Sequence, residues 1–124
     1  MTDQPIIVKV DTEYLSQESE PDNDRFVFAY QITIHNQGNE PSQLLSRHWL
    51  VTDGNEVKKI YRGMGVVGEQ PLINGGRSYK YTSGIVLDTP IGTMQGHYTM
   101  RDQQGRSYDV PIEPFLLSTP NTVN

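Results

Sequence analysis

Phe26-Val27-Phe28-Ala29-Tyr30-Gln31-Ile32-Thr33-Ile34-His35 decides the fold class. Phe26, Phe28, Tyr30, Ile32 and Ile34 hold alternate positions, with Ala29, Gln31, Thr33 and His35 between them. A period of two sends successive side chains to opposite faces of a strand. The stretch therefore predicts a half-buried β-strand whose core face carries Phe28, Tyr30 and Ile32.

Upstream, Ile6–Tyr14 predicts a first strand, and the polar, Pro-interrupted Ser16–Asp24 predicts an exposed loop. Downstream, Gln43–Thr52 carries the chain's one Trp. Strict alternation there puts Leu45, Arg47, Trp49 and Val51 on one face, and Leu44, Ser46, His48 and Leu50 on the other. Further strands are predicted at Val57–Arg62, Ser78–Leu87, Thr93–Arg101 and Ser107–Leu117. Tyr98 faces inward on the sixth, while Pro111 and Pro114 mark the seventh as an edge or bulged strand, since proline cannot donate to a ladder. Residues 118–124 read as a frayed tail. Seven short strands separated by turn signals, with no helical period over ten residues, predict an all-β protein. The architecture expected is one immunoglobulin- or fibronectin-III-like β-sandwich spanning residues 1–124, with its core at about 6–117. Trp49 falls where such sandwiches bury an aromatic.

Composition agrees. Among 124 residues there are one Ala and eight Leu, against nineteen Val plus Ile, ten Thr and seven Tyr. That balance favours pleated sheet over helix. The formal net charge is −5. Clustered cations are what a phosphate backbone attracts, so an acidic chain is a poor nucleic-acid binder. Cys is absent, which removes disulfides and thiol chemistry and suits a reducing compartment. Lys9 and the acids after it break up Ile6–Val10, so no signal-peptide core is expected. Nothing approaches the ~18 apolar residues of a membrane span. The chain reads as a soluble cytoplasmic protein.

Gly63-Met64-Gly65-Val66-Val67-Gly68 matches GxGxxG, and Asp88 stands twenty positions later. A dinucleotide fingerprint needs a helix launched from the third glycine. Glu69-Gln70-Pro71 and Gly75-Gly76 preclude one, so a tight, φ-positive loop between strands is expected. Backbone amides in such a loop can still form an anion nest. Arg62, Gly63, Gly65, Gly68, Arg77 and Lys80 are its candidate residues for a polyphosphate or an acidic partner group.

His35, His48 and His97 show no metal-ligand spacing. If Trp49 and Tyr98 point inward, however, His48 and His97 point outward and can share a surface, which makes them the candidate metal ligands. No Cys, GxSxG or triad arrangement is present, and the acidic loop lacks the glycine and terminal Glu of a calcium site. No catalytic residue and no cofactor is assigned.

Several blocks, taken together, closely resemble the ApaG family. They are Arg47-His48-Trp49 with Thr52-Asp53, Gly63 to Pro71, Tyr81-Thr82-Ser83-Gly84, Thr89 to Met100, and Phe115 with Leu117. The resemblance runs from Val8 to Leu117. It implies the same sandwich and a protein-binding role, because ApaG is similar to a domain of F-box substrate adaptors and of a DNA-polymerase-interacting protein. It also implies an association with cobalt resistance and magnesium efflux, and with a neighbouring diadenosine tetraphosphate hydrolase gene. Near Asn74–Tyr79 the chain departs from the family pattern: Gly75 replaces Pro, Arg77 an acid, and Tyr79 Phe.

The expected function is thus a non-enzymatic module for an unidentified protein partner, with Gly63–Pro71, Arg62, Arg77 and His48 as its recognition corner. A small-anion sensor at the same loop and a metal-handling protein are the alternatives. A homodimer covering the Pro-bearing last strand is a further expectation.

Overall fold

A computed structural model describes residues 5–120. Strands β1 (Ile6–Tyr14), β2 (Phe26–Asn36), β3 (Ser42–Asp53), β4 (Lys58–Met64), β5 (Leu72–Ile73), β6 (Ser78–Leu87), β7 (Ile91–Arg101) and β8 (Ser107–Ser118) form two antiparallel sheets. The smaller has the order β1-β2-β6. The larger runs β4-β3-β7-β8, with β5 paired to the start of β3. The described residues contain no α-helix, and no helix long and apolar enough to cross a membrane. The chain is an all-β sandwich.

The quoted stretch is the central strand of the smaller sheet. Phe28, Tyr30, Ile32 and Ile34 are buried, against Trp49, Met94, Tyr98 and Met100 of the larger sheet. Asn36 ends β2 and is also buried. Its Nδ2 donates to the carbonyls of Glu40 (2.8 Å) and Ile73 (2.9 Å), while its Oδ1 accepts from Gly38 N–H (3.0 Å). One satisfied amide therefore closes the β2–β3 turn and fastens β5.

Four local expectations change. The Ser16–Asp24 segment contains two single 3₁₀ turns, Ser16–Glu18 and Pro21–Asn23. An eighth strand, β5, is added. It is only two residues long, too short to show a period. The fourth strand continues through Gly63 and Met64, so the first two residues of GxGxxG belong to the sheet. The face assignment of β3 also fails before Ser46. Leu45 is an extra residue opposite β7, between the pairs Leu44↔Met100 and Ser46↔Thr99. That bulge reverses the phase, so Leu44 points inward together with Trp49 and Val51.

The last strand is an edge, and its proline is accommodated at a second bulge. Met94 pairs with Phe115 and Gly96 with Ile112, leaving Glu113 and Pro114 together opposite Gln95. Residue 118 closes β8 and Thr119 N–H donates to the Pro90 carbonyl (3.0 Å), so the expected fraying does not begin at 118. Residues 121–124 of the predicted tail lie outside the described residues.

Candidate functional site

After Gly63 and Met64 leave the ladder, the remainder of the glycine motif makes a two-residue reversal. Val66 N–H donates to the Glu69 carbonyl (2.8 Å) and Glu69 N–H to the Val66 carbonyl (2.9 Å). Val67 (φ 42°) and Gly68 (φ 82°) occupy the corner, both left-handed, as a primed turn requires. Gly65 is obligatory for a different reason. At φ 65° a Cβ there would lie 2.2 Å from the Glu69 carbonyl oxygen. Val66 is fully buried in the core and anchors the turn to the sandwich.

The amides of Gly65, Val66 and Glu69 already donate to Leu45, Glu69 and Val66 carbonyls. Arg47 lies beneath the turn, its Nη1 donating to the carbonyls of Gly65 (2.7 Å) and Met64 (3.2 Å). A Cβ on Gly63 would come within 2.7–2.8 Å of that guanidinium, so Gly63 leaves the room that Arg47 fills.

Next to Arg47, Tyr81 of β6 and Tyr98 of β7 join their hydroxyls in a hydrogen bond between the two sheets. Burial raises both phenols well above their ordinary value of 10.0, and for Tyr98 the neighbouring Tyr81 raises it further. The unfolded chain releases these protons near pH 10 while the folded protein keeps them. Above that pH the unfolded state therefore binds fewer protons, and stability falls as pH rises. Urea titrations from pH 8 to 11 should show this decline, and the Tyr81→Phe/Tyr98→Phe double variant should show a shallower one.

The candidate residues divide by face. On β3, Ser46, His48, Leu50 and Thr52 point away from the core, and β4 places Arg62 opposite His48. His97 is opposite His48 on the other side, and the two rings stack with centroids 4.9 Å apart and planes 9° apart. Asp109 Oδ2 lies 3.9 Å from His97 Nε2. His48, His97 and Arg62 are thus brought together. Lys80 is not, because it pairs with Thr33 on the outer face of the smaller sheet. Arg77 lies before β6, where its carbonyl accepts from Asn36 N–H (2.9 Å).

Parallel imidazoles direct their lone pairs side by side, so a shared ion requires one ring to turn. Even then the pair supplies two of the four protein donors usual in a structural zinc site. No group of three or more His, Asp or Glu residues suited to a metal occurs among the described residues.

An open hollow of about 930 Å³ occupies one end of the sandwich, between the β2–β3 and β7–β8 turns. Asn39, Glu40, Arg106 and Tyr108 line it, and it contains none of the candidate residues.

The sequence profile of the ApaG domain (DUF525) matches residues 16–102. The chain belongs to the ApaG family. It is 51% identical to Protein ApaG of Vibrio vulnificus strain YJ016 over 119 residues, covering 96% of this chain and 94% of that one. With Protein ApaG of Pectobacterium carotovorum strain PC1 it shares 49% identity, covering 96% and 95%. A crystal structure from Bordetella pertussis described as an ApaA protein superposes with a TM-score of 0.92 at 46% identity, covering 94% of this chain and 95% of that one.

In this ApaG domain the blocks that carry the resemblance meet across three strands. Arg47, His48 and Trp49 pair with Gly63, Arg62 and Tyr61 on one side, and with Tyr98, His97 and Gly96 on the other. Sequence reading passed over Arg47 as a site residue, and over Val66 and Val67 individually. Nothing in their spacing marks an arginine under a turn or a valine at its tip. The readable signal is Val67 before Gly68, a valine at the corner position where a primed turn favours Asn.

Proposed function

We propose that this ApaG-family chain is a non-enzymatic, cytoplasmic protein-binding module that recognises its partner through β4 and the turn after it. The supporting observation is where apolar surface is left uncovered. Of nine exposed large hydrophobic residues among those described, six lie between 57 and 72: Val57, Ile60, Tyr61, Met64, Val67 and Leu72. Clustering of this kind, interspersed with Lys58, Lys59 and Arg62, is typical of interaction surfaces.

Val67 adds a second point. A β-branched residue at φ 42° is a backbone outlier costing on the order of 1–3 kcal/mol, and here its side chain faces solvent. Contact with a partner accounts for a residue that the isolated fold disfavours. The test is Val67→Asn, with a photo-crosslinking residue at Met64. Asn accepts the left-handed conformation, so the variant should gain roughly 1 kcal/mol in urea denaturation while crosslinking to its cellular partner drops. Crosslinking unchanged in both Val67→Asn and Ile60→Asp would refute the reading.

Metal handling is the second reading, with His48 and His97 as ligands: the two imidazoles adjoin on one outer face, and one of them must turn for both to hold an ion. The family's association with cobalt resistance and magnesium efflux then has two routes, a protein partner at β4 or an ion at this pair. An anion site at the turn has less support, because three of its amides and Arg47 already bond to the chain's own carbonyls.

A further inference from the structure

Strand β6 is the least protected edge of the sandwich. Among the described residues it pairs only with β2. Asn36 N–H donates to the Arg77 carbonyl, which fixes the phase of this antiparallel pair. By alternation, the N–H and C=O groups of Ser78, Lys80, Thr82, Gly84 and Val86 point to the side with no neighbouring strand.

Natural edges are blunted by proline, bulges, charge or shortness. The β8 edge has Pro111, Pro114 and a bulge. The β4 edge is seven residues long with three cations, and β1 carries Lys9, Asp11 and Glu13. By contrast, β6 offers ten residues in unbroken register with a single charge, Lys80, and no proline.

The surroundings of this edge select by charge. From residue 70 to 87 the chain carries Arg77 and Lys80 and no carboxylate, within a protein of net charge −5. Both cations are exposed. Lys80 stands on the outer side of β6. At the strand's far end Lys59 and Tyr61 of β4 line a shallow cleft with Val86 and Leu87, where Asp53 and Asp88 balance the lysine, so the cationic end of the edge is the one at Arg77 and Lys80.

We propose that β6 is a docking edge for an acidic, extended polypeptide segment, which joins the smaller sheet as a fourth strand. Main-chain bonds to Lys80, Thr82, Gly84 and Val86 hold the segment, and its carboxylates meet Lys80 and Arg77. The inference rests on the protein-binding reading but not on the β4 turn surface, so either surface can fail without the other.

The probe is a capped nine-residue peptide of alternating Glu and Val, with a Lys and Val counterpart as control, monitored by amide hydrogen exchange on the full chain. The acidic peptide should slow exchange of the Lys80, Thr82, Gly84 and Val86 amides about tenfold, and less so at high salt. Thr82→Pro removes one outward N–H and leaves the bonds to β2 intact, so binding should be lost while the fold persists. Lys80→Glu should weaken binding without touching the backbone. Equal protection by the basic peptide, protection confined to β4, or none at β6 overturns the proposal. Protection at β6 that grows with protein concentration in the absence of peptide also overturns it, since the occupant is then a second copy.

Discussion

Gly96→Ala is expected to abolish cooperative folding at 25 °C, a loss on the order of 4 kcal/mol or more and a large share of a small domain's margin. A Cβ at this position would stand 1.8 Å from the His48 carbonyl oxygen, 2.9 Å from its carbon and 3.1 Å from the Trp49 Cα. All three are backbone atoms of the central strand, so no rotamer change relieves the overlap. Relief requires β3 and β7 to separate at the pair Trp49↔Gly96, which lies between the two bulges of the larger sheet. Gly84→Ala is the matched control. Its Cβ would meet only the Phe28 carbonyl oxygen at 3.4 Å, ordinary contact, and its stability should stay within about 0.5 kcal/mol of wild type. Urea denaturation followed by Trp49 fluorescence compares the two. A normal transition for Gly96→Ala would mean that β7 has slack opposite the β8 bulge.

The layered architecture was legible because period-two burial imposes itself on sequence wherever one face of a strand meets a core. Phe28, Tyr30 and Ile32 show this in β2, and Met94, Tyr98 and Met100 in β7. The strand pairing of Trp49 and Tyr98 with the core carried His48 and His97 to the opposite face by the same rule. What alternation cannot report is an interruption of itself. Leu45 and Pro114 each sit in a bulge, and a bulge is the insertion of one residue into a ladder whose partner strand is far away in sequence. The grouping of Arg62, Arg77 and Lys80 failed for a related reason. They are close along the chain, but β4 and β6 belong to different sheets, and the outward positions of two packed sheets face in opposite directions. Arg47 escaped notice as a site residue because its role depends on carbonyls seventeen and eighteen residues away.

Trp49→Ala should cost about 3–5 kcal/mol, and Trp49→Phe much less, about 1–2 kcal/mol. The indole is 2% exposed and sits edge-on to three rings, Tyr30 at 5.6 Å, Phe115 at 5.8 Å and Tyr98 at 6.2 Å. Tyr30 comes from the smaller sheet and the others from β7 and β8, so this side chain joins both layers. Truncation to Ala leaves a void among stiff aromatic walls that cannot close over it. The usual additional penalty of removing a buried indole is absent here. Among the described residues Trp49 Nε1 finds no hydrogen-bond acceptor, so Phe orphans no partner and loses only volume and edge-to-face contact. The gap between the two substitutions is therefore diagnostic. Denaturant midpoints that fall equally for Trp49→Ala and Trp49→Phe would show that the N–H has a partner, a buried water or a ring face, whose loss is as costly as the cavity.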